Sequence, residues 1–172
     1  RQRAEAGRGR GPSTARVPTP VAGPTVAAVL LEQEGKATEA QKHYGQALKA
    51  DPTAAVASNN LAWLMMQSGA DIDVALQLAL TAKAALPNRA EVNDTLGWIF
   101  YRKGLTALAI SSLKRSADAD PQRQTYQYHL GLAYAKDGDR VHARQSLKRA
   151  LALKTDFDGA SEARRVLRSI GE

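Results

Sequence analysis

Leu96-Gly97-Trp98-Ile99-Phe100, followed by Gly104, by Ala109-Ile110-Ser111-Ser112-Leu113 and by Pro121, decides how this chain is read. The same order of residues returns on either side. Downstream it recurs as Leu130-Gly131-Leu132-Ala133-Tyr134, then Gly138, then Ala143 with Leu147, and Thr155 stands where the proline would be. Upstream it recurs as Leu61-Ala62-Trp63-Leu64-Met65, then Gly69, Ala75 and Pro87. A fourth copy keeps Gly35, Ala40, Tyr44, Ala47 and Pro52. The four glycines Gly35, Gly69, Gly104 and Gly138 lie 34, 35 and 34 residues apart. Self-similarity at such a period marks stacked supersecondary units that share a continuous core. It turns the functional question from catalysis toward binding.

Within each unit the apolar residues follow a helical period rather than alternation. The third unit predicts one helix over about Ala90–Arg102, with Val92, Leu96, Gly97, Ile99 and Phe100 on its packing face. A second helix follows over about Thr106–Asp118, with Ala109, Leu113 and Ala117 facing back. Gly97, Gly131 and Ala62 share one register, where the partner helix must come close, and Ala109 and Ala143 are expected to allow the reciprocal approach. The prolines outside the first 24 residues fall at one register between helices, where proline is tolerated. The second unit carries one extra residue, placed in the turn Gly69–Val74. In the first unit Pro24 leaves room for a shortened first helix, about Thr25–Glu34.

These residues resemble the tetratricopeptide repeat (TPR) signature, four times in register over residues 25–157. The resemblance implies an all-α, right-handed α-solenoid of antiparallel helix pairs. The expected units are 25–54, 55–89, 90–123 and 124–157. After them, 158–172 reads as a capping helix: Asp158 is a candidate N-cap, and Ala160, Ala163, Val166, Leu167 and Ile170 form one apolar stripe opposite Arg164, Arg165 and Arg168. A polar outer face of this kind closes a solenoid.

The 172 residues are 44% hydrophobic with a net charge of +7. Residues 1–24 hold Arg1, Arg3, Arg8, Arg10 and Arg16 against Glu5 alone, with four prolines and four glycines. Such a segment buries too little apolar surface to offset the entropy of ordering, so a disordered basic tail is expected. Five dispersed arginines would give only weak, salt-sensitive attraction to nucleic acid or an acidic surface. With Arg1 in place of a methionine and no cap before the first unit, the sequence reads as a fragment or processed product, open to self-association at that end. No apolar run is long enough for a transmembrane helix. The composition leaves cytoplasmic and periplasmic placement open.

Catalytic signatures are missing. The chain has no cysteine, and His43, His129 and His142 stand in no metal-binding spacing. Asp71/Asp73, Asp118/Asp120 and Asp137/Asp139 sit at turns, where carboxylates cap helices. The expectation is a non-enzyme with no cofactor or metal.

What remains is a binding surface for a protein or peptide. In TPR arrays the first helix of each unit lines a concave groove, which implies rows of residues running across the units. One row is Asn59, Asp94 and Tyr128; a second is Asn60, Thr95 and His129. The third is Trp63, Trp98 and Leu132, and the fourth Met66, Tyr101 and Ala135. Both tryptophans share a row, either anchoring a ligand or packing between adjacent first helices. The lysine and arginine clamp of chaperone-tail-binding repeats is not met, nor is the long asparagine ladder of some glycosyltransferase-linked repeats. Ser58-Asn59-Asn60-Leu61-Ala62-Trp63-Leu64, Asp94-Thr95-Leu96-Gly97-Trp98 and Tyr128-His129-Leu130 also resemble the C-terminal part of bacterial TPR-repeat lipoproteins of the PEP-CTERM/exosortase system. That resemblance implies an envelope or exopolysaccharide-export setting. A structural stacking module is the alternative function, and nucleic-acid binding through the basic tail a third.

Overall fold

A computed structural model describes residues 20–171, so residues 1–19 of the tail expected at 1–24 lie outside the described residues. Nine helices and no strand occur among them: α1 (Ala22–Gln33), α2 (Ala37–Ala50), α3 (Ala55–Ser68), α4 (Ile72–Ala85), α5 (Ala90–Arg102), α6 (Thr106–Ala119), α7 (Gln124–Asp137), α8 (Arg140–Leu153) and α9 (Ala160–Ser169). The first eight form four pairs, each pair packing on the next. This is the expected all-α solenoid.

Glycine ends the first helix of each unit for a steric reason. Gly69 and Gly138 are the C-caps of α3 and α7, with φ of 73° and 87°. A side chain in that left-handed conformation strains the backbone. The inserted residue of the second unit is absorbed between Gly69 and α4, so Ala75 still falls on the fourth residue of its helix, as Ala109 and Ala143 do in α6 and α8. Asp71 accepts hydrogen bonds from the amides of Asp73 and Val74 at the start of α4, and Asp139 from that of His142 at the start of α8. Most other starts have no side-chain cap and rely on burial, the usual source of helix stability in proteins.

The core runs unbroken along the stack. Each cluster joins one helix pair to the next first helix: Ala40, Tyr44 and Leu64 across α2 and α3, Ala79 and Ile99 across α4 and α5, Leu113 and Leu130 across α6 and α7. Close approach of the second helix at the small positions is real: a Cβ on Gly97 would stand 3.0 Å from the backbone nitrogen of Leu113, and one on Gly131 3.1 Å from that of Leu147. A Cβ on Gly97 would lie 2.6 Å from Leu113 Cγ, and one on Gly131 would lie 2.7 Å from Leu147 Cγ. Leucine side chains are therefore seated against the glycines as well.

Two boundaries differ from expectation. α1 begins at Ala22, so Gly23 and Pro24 belong to its first turn and residues 22–24 to the fold rather than the tail. Proline fits there because first-turn N–H groups have no intrahelical acceptor. At 12 residues, α1 is only slightly shorter than the 14-residue α3. At the other end Gly159, with φ of 98°, is the N-cap of α9, and no side chain caps that helix. The expected cap, Asp158, is instead exposed. α9 packs against α7 and α8 through buried Ala163 and Leu167, leaving Arg164, Arg165 and Arg168 in solvent.

Candidate functional site

The first helices α3, α5 and α7 touch one another in sequence, whereas the second helices are not in comparable contact. The first helices therefore form the inner side of the curve. α3 contains no charged residue, so the groove it helps to line begins as a surface of amides and aromatic rings.

At its centre lies an aromatic stack. The Trp98 ring is stacked on Tyr101 at 4.6 Å between centroids, and on His129 at 4.1 Å, with interplanar angles of 9° and 16°. These neighbours are on opposite faces of the indole, so Trp98 meets the groove by its edge. Trp63 is tilted toward His129 at 6.1 Å, and Tyr128 flanks the same ring at 5.5 Å. Offset and tilted contacts at such separations suit the ring quadrupoles. The two tryptophans of one expected row thus do not stack on each other; the imidazole of the neighbouring row links them. Leu132, in the row of the tryptophans, is buried in the core, and so is Met66 of the fourth row, although Met66 still reaches a cleft wall.

Asp94 and His129, assigned to different rows, form one buried pair. Nδ1 of His129 stands 2.9 Å from Oδ1 and 3.1 Å from Oδ2 of Asp94, and both side chains are nearly inaccessible. A second polar chain starts at Asn59, whose Nδ2 donates to Asn60 Oδ1 at 3.2 Å. Asn60 Nδ2 donates to the Tyr44 hydroxyl at 2.8 Å, and that hydroxyl donates to Glu32. Asn59 Oδ1 is buried without a hydrogen-bond partner among the described residues. Tyr44 belongs to a second helix, and only its position in the repeat signature was visible in the sequence.

Two clefts open between these groups. The larger, about 710 Å³, is lined by Trp63, Gln67, Trp98, Arg102, Thr125, Tyr128, His129 and the segment from Lys154 to Glu162. The smaller, about 380 Å³, is lined by Asn59, Asn60, Trp63, Asp94, Thr95, Arg123 and Tyr126. Trp63 separates them. The larger cleft is closed at one end by the turn before α9. Phe157 packs edge-on to Tyr128 at 5.5 Å, and Tyr128 Oη donates to Glu162 Oε2 at 2.8 Å. Gly159 lies so near that a Cβ there would stand 2.5 Å from the Tyr128 ring. The involvement of Phe157, Gly159 and Glu162 was not anticipated; the glycine just before the last helix was its only trace.

Burial raises the phenol pKa of Tyr128, and the hydrogen bond to Glu162 adds to the effect. Tyr44 is raised by burial and by Glu32. Tyr126 is pushed up to about 12 by burial and by the charges of Asp94 and Glu91. All three are neutral hydrogen-bonding groups at ordinary pH. Among the described residues no group of three His, Asp or Glu side chains is placed to hold a metal. The arrangement offers shape, apolar rings and neutral donors and acceptors, with the charged Arg102, Lys154, Asp158 and Glu162 also lining the larger cleft and Glu91, Asp94 and Arg123 the smaller.

Family models described as tetratricopeptide repeat match residues 31–99 and 95–161. The chain belongs to the tetratricopeptide repeat family. A TPR protein of Thermus thermophilus, TTC0263, is 28% identical with a TM-score of 0.67, covering 86% of this chain and 79% of that one. A structure of MamA (MSR-1) is 22% identical with a TM-score of 0.70, covering 86% of this chain and 82% of that one, a likeness of fold alone. A BBSome complex member BBS4 homolog of Drosophila melanogaster is 33% identical over 92 residues, 54% of this TPR chain. The chain spans only 19% of that relative's length. No helix among the described residues is long and apolar enough to cross a membrane.

Proposed function

We propose that this TPR chain is a non-catalytic scaffold that holds an extended segment of a protein partner in its concave groove. The larger cleft carries the reading, because it combines the rings of Trp63, Trp98, Tyr128, His129 and Phe157 with neutral donors on three successive first helices. Asn60 and Thr125 suit the peptide groups of an extended strand, and Trp63, lining both clefts, suits the bulky side chain between them. Trp98, held on both faces, keeps the floor rigid. With α3 uncharged, recognition along that helix falls on peptide groups and apolar side chains. The phrases shared with exosortase-system lipoproteins favour a bacterial envelope or exopolysaccharide-export machinery as the source of the partner.

Panning a displayed peptide library against the full chain tests the groove. Recovered peptides should compete with one another, perturb tryptophan fluorescence and lose at least about tenfold in affinity on Trp63→Ala, as hot-spot residues do. Peptides that bind the variant as tightly as the parent would place recognition elsewhere.

A second reading, stacking of copies through the first unit, is favoured by one observation. Val26 and Leu30 of α1 and Val56 of α3 are all at least half exposed. Sedimentation of a strict monomer at high concentration would dismiss it.

A further inference from the structure

The groove helices carry little charge, whereas the outer helices become basic toward the C-terminal end. α8 contains Arg140, Arg144, Lys148 and Arg149 and no acidic residue. Arg140, Arg144 and Lys148 are spaced four apart, so they follow one another along a single side of the helix at about 6 Å intervals. Like charges at that spacing repel, and Arg140 opens a helix whose N-terminal dipole disfavours a cation. No ion pair relieves Arg140, Lys148 or Arg149 among the described residues. The pattern extends sideways through Arg115 of α6, in the register of Arg149, while Lys114 beside it is paired with Asp118 at 2.6 Å. Arg144 donates to the Gly171 carbonyl, which brings the end of α9, with Arg168 in its last turn, alongside. Arg149 Nε donates to the Pro121 carbonyl at 3.2 Å, whereas the side chains of Arg140 and Lys148 have no hydrogen-bond or ion-pair partner among the described residues, and internal electrostatics oppose their placement.

We propose that the convex face of α6 and α8 is a docking surface for an anionic lipid surface. Side-chain chemistry favours lipid over nucleic acid. No tryptophan, tyrosine or phenylalanine lies on α6 or α8 to stack a base, the usual anchor for single strands. Instead Val141 is 70% exposed amid the cations, and Leu108 on the neighbouring helix is 51% exposed. Cations surrounding apolar tips are the composition of an interfacial contact, in which headgroup charge draws the protein down and apolar side chains enter the boundary. The groove faces the other way and stays open to its partner.

The test is flotation of the full chain with vesicles of phosphatidylcholine alone or mixed with phosphatidylserine, at physiological salt. The parent should partition to the phosphatidylserine vesicles only and be released by high salt. Replacing Arg140 and Lys148 together by glutamine should lower partitioning by about 5-fold for each cation, on the order of 25-fold in all. The melting temperature should hold or rise, because mutual repulsion has been removed. Neutralising the five arginines of residues 1–16 in a separate variant measures what that segment adds and should leave most of the binding in place. The proposal fails if the α8 double variant floats like the parent or melts lower. It fails equally if the parent ignores phosphatidylserine, survives high salt, or is captured more tightly by duplex DNA than by vesicles.

Discussion

Replacing Gly97 by alanine sets two opposed effects against each other. Alanine is the better helix former by about 1 kcal/mol. The added Cβ, however, would stand 2.6 Å from Cγ and 2.9 Å from Cδ2 of Leu113, and 3.0 Å from its backbone nitrogen. Leu113 has no exposed surface into which it can swing, and its nitrogen is fixed within α6. Overpacking of this kind costs about 1–3 kcal/mol. The clash should win, leaving a net loss of about 1–2 kcal/mol and a melting temperature lower by roughly 2–8 °C for a chain of this size. Leu113→Ala alone should cost about 2–5 kcal/mol, but it removes both side-chain contacts. In that background Gly97→Ala should become neutral or stabilising by up to about 1 kcal/mol, so the two substitutions couple by about 2 kcal/mol. Urea unfolding followed by far-ultraviolet circular dichroism and by Trp63 and Trp98 fluorescence measures the cycle. A Gly97→Ala protein with a raised urea midpoint, or two effects that simply add, would refute the packing account. Gly131 and Leu147, at 2.7 Å, offer an independent repeat.

Two further outcomes are expected. Asp94→Ala should cost about 1.5–3 kcal/mol by leaving His129 buried without its partner, while Asp94→Asn, whose amide oxygen can still accept from Nδ1–H, should cost less; equal losses in urea unfolding would show that the hydrogen bond does not matter. The raised phenol pKa values of Tyr44, Tyr126 and Tyr128 fix the sign of alkaline behaviour: the stabilisation is whole below the ordinary value near 10 and drains away as pH climbs through the folded-state values. Ultraviolet titration should therefore show these phenols ionising together with loss of helical signal above about pH 10, and ionisation of all five tyrosines with the helices intact would contradict their burial.

The repeat was legible because its signature residues answer local demands. A left-handed cap needs glycine, a tight helix crossing needs glycine or alanine, and proline must fall between helices. Those demands placed α5 at Ala90–Arg102 and located the residue inserted after Gly69. They do not specify the rotation of one first helix against the next. That offset carries His129 across to Asp94 and Trp98, where equal spacing from the signature had separated them into rows. The Tyr44–Asn60 bond likewise depends on how a second helix meets the following unit. Pro24 misled because a first-turn proline and a helix-stopping proline look alike without the packing of α1. Asp158 misled because an aspartate before a helix is a good cap in isolation, whereas here the chain passes Tyr128 too closely for anything but Gly159 at the cap position.

Tyr128 belongs both to the groove wall and to the seat of α9, and this shared residue ties two equilibria together. Anything in the cleft that leans on its ring holds the Glu162 bond and the Gly159 contact in place, and so opposes fraying of the last helix. By reciprocity, loosening α9 must weaken such an occupant by the same free energy. The end of the stack is thus thermodynamically linked to its interior: exchange protection of α9 amides should report on whether the groove is filled.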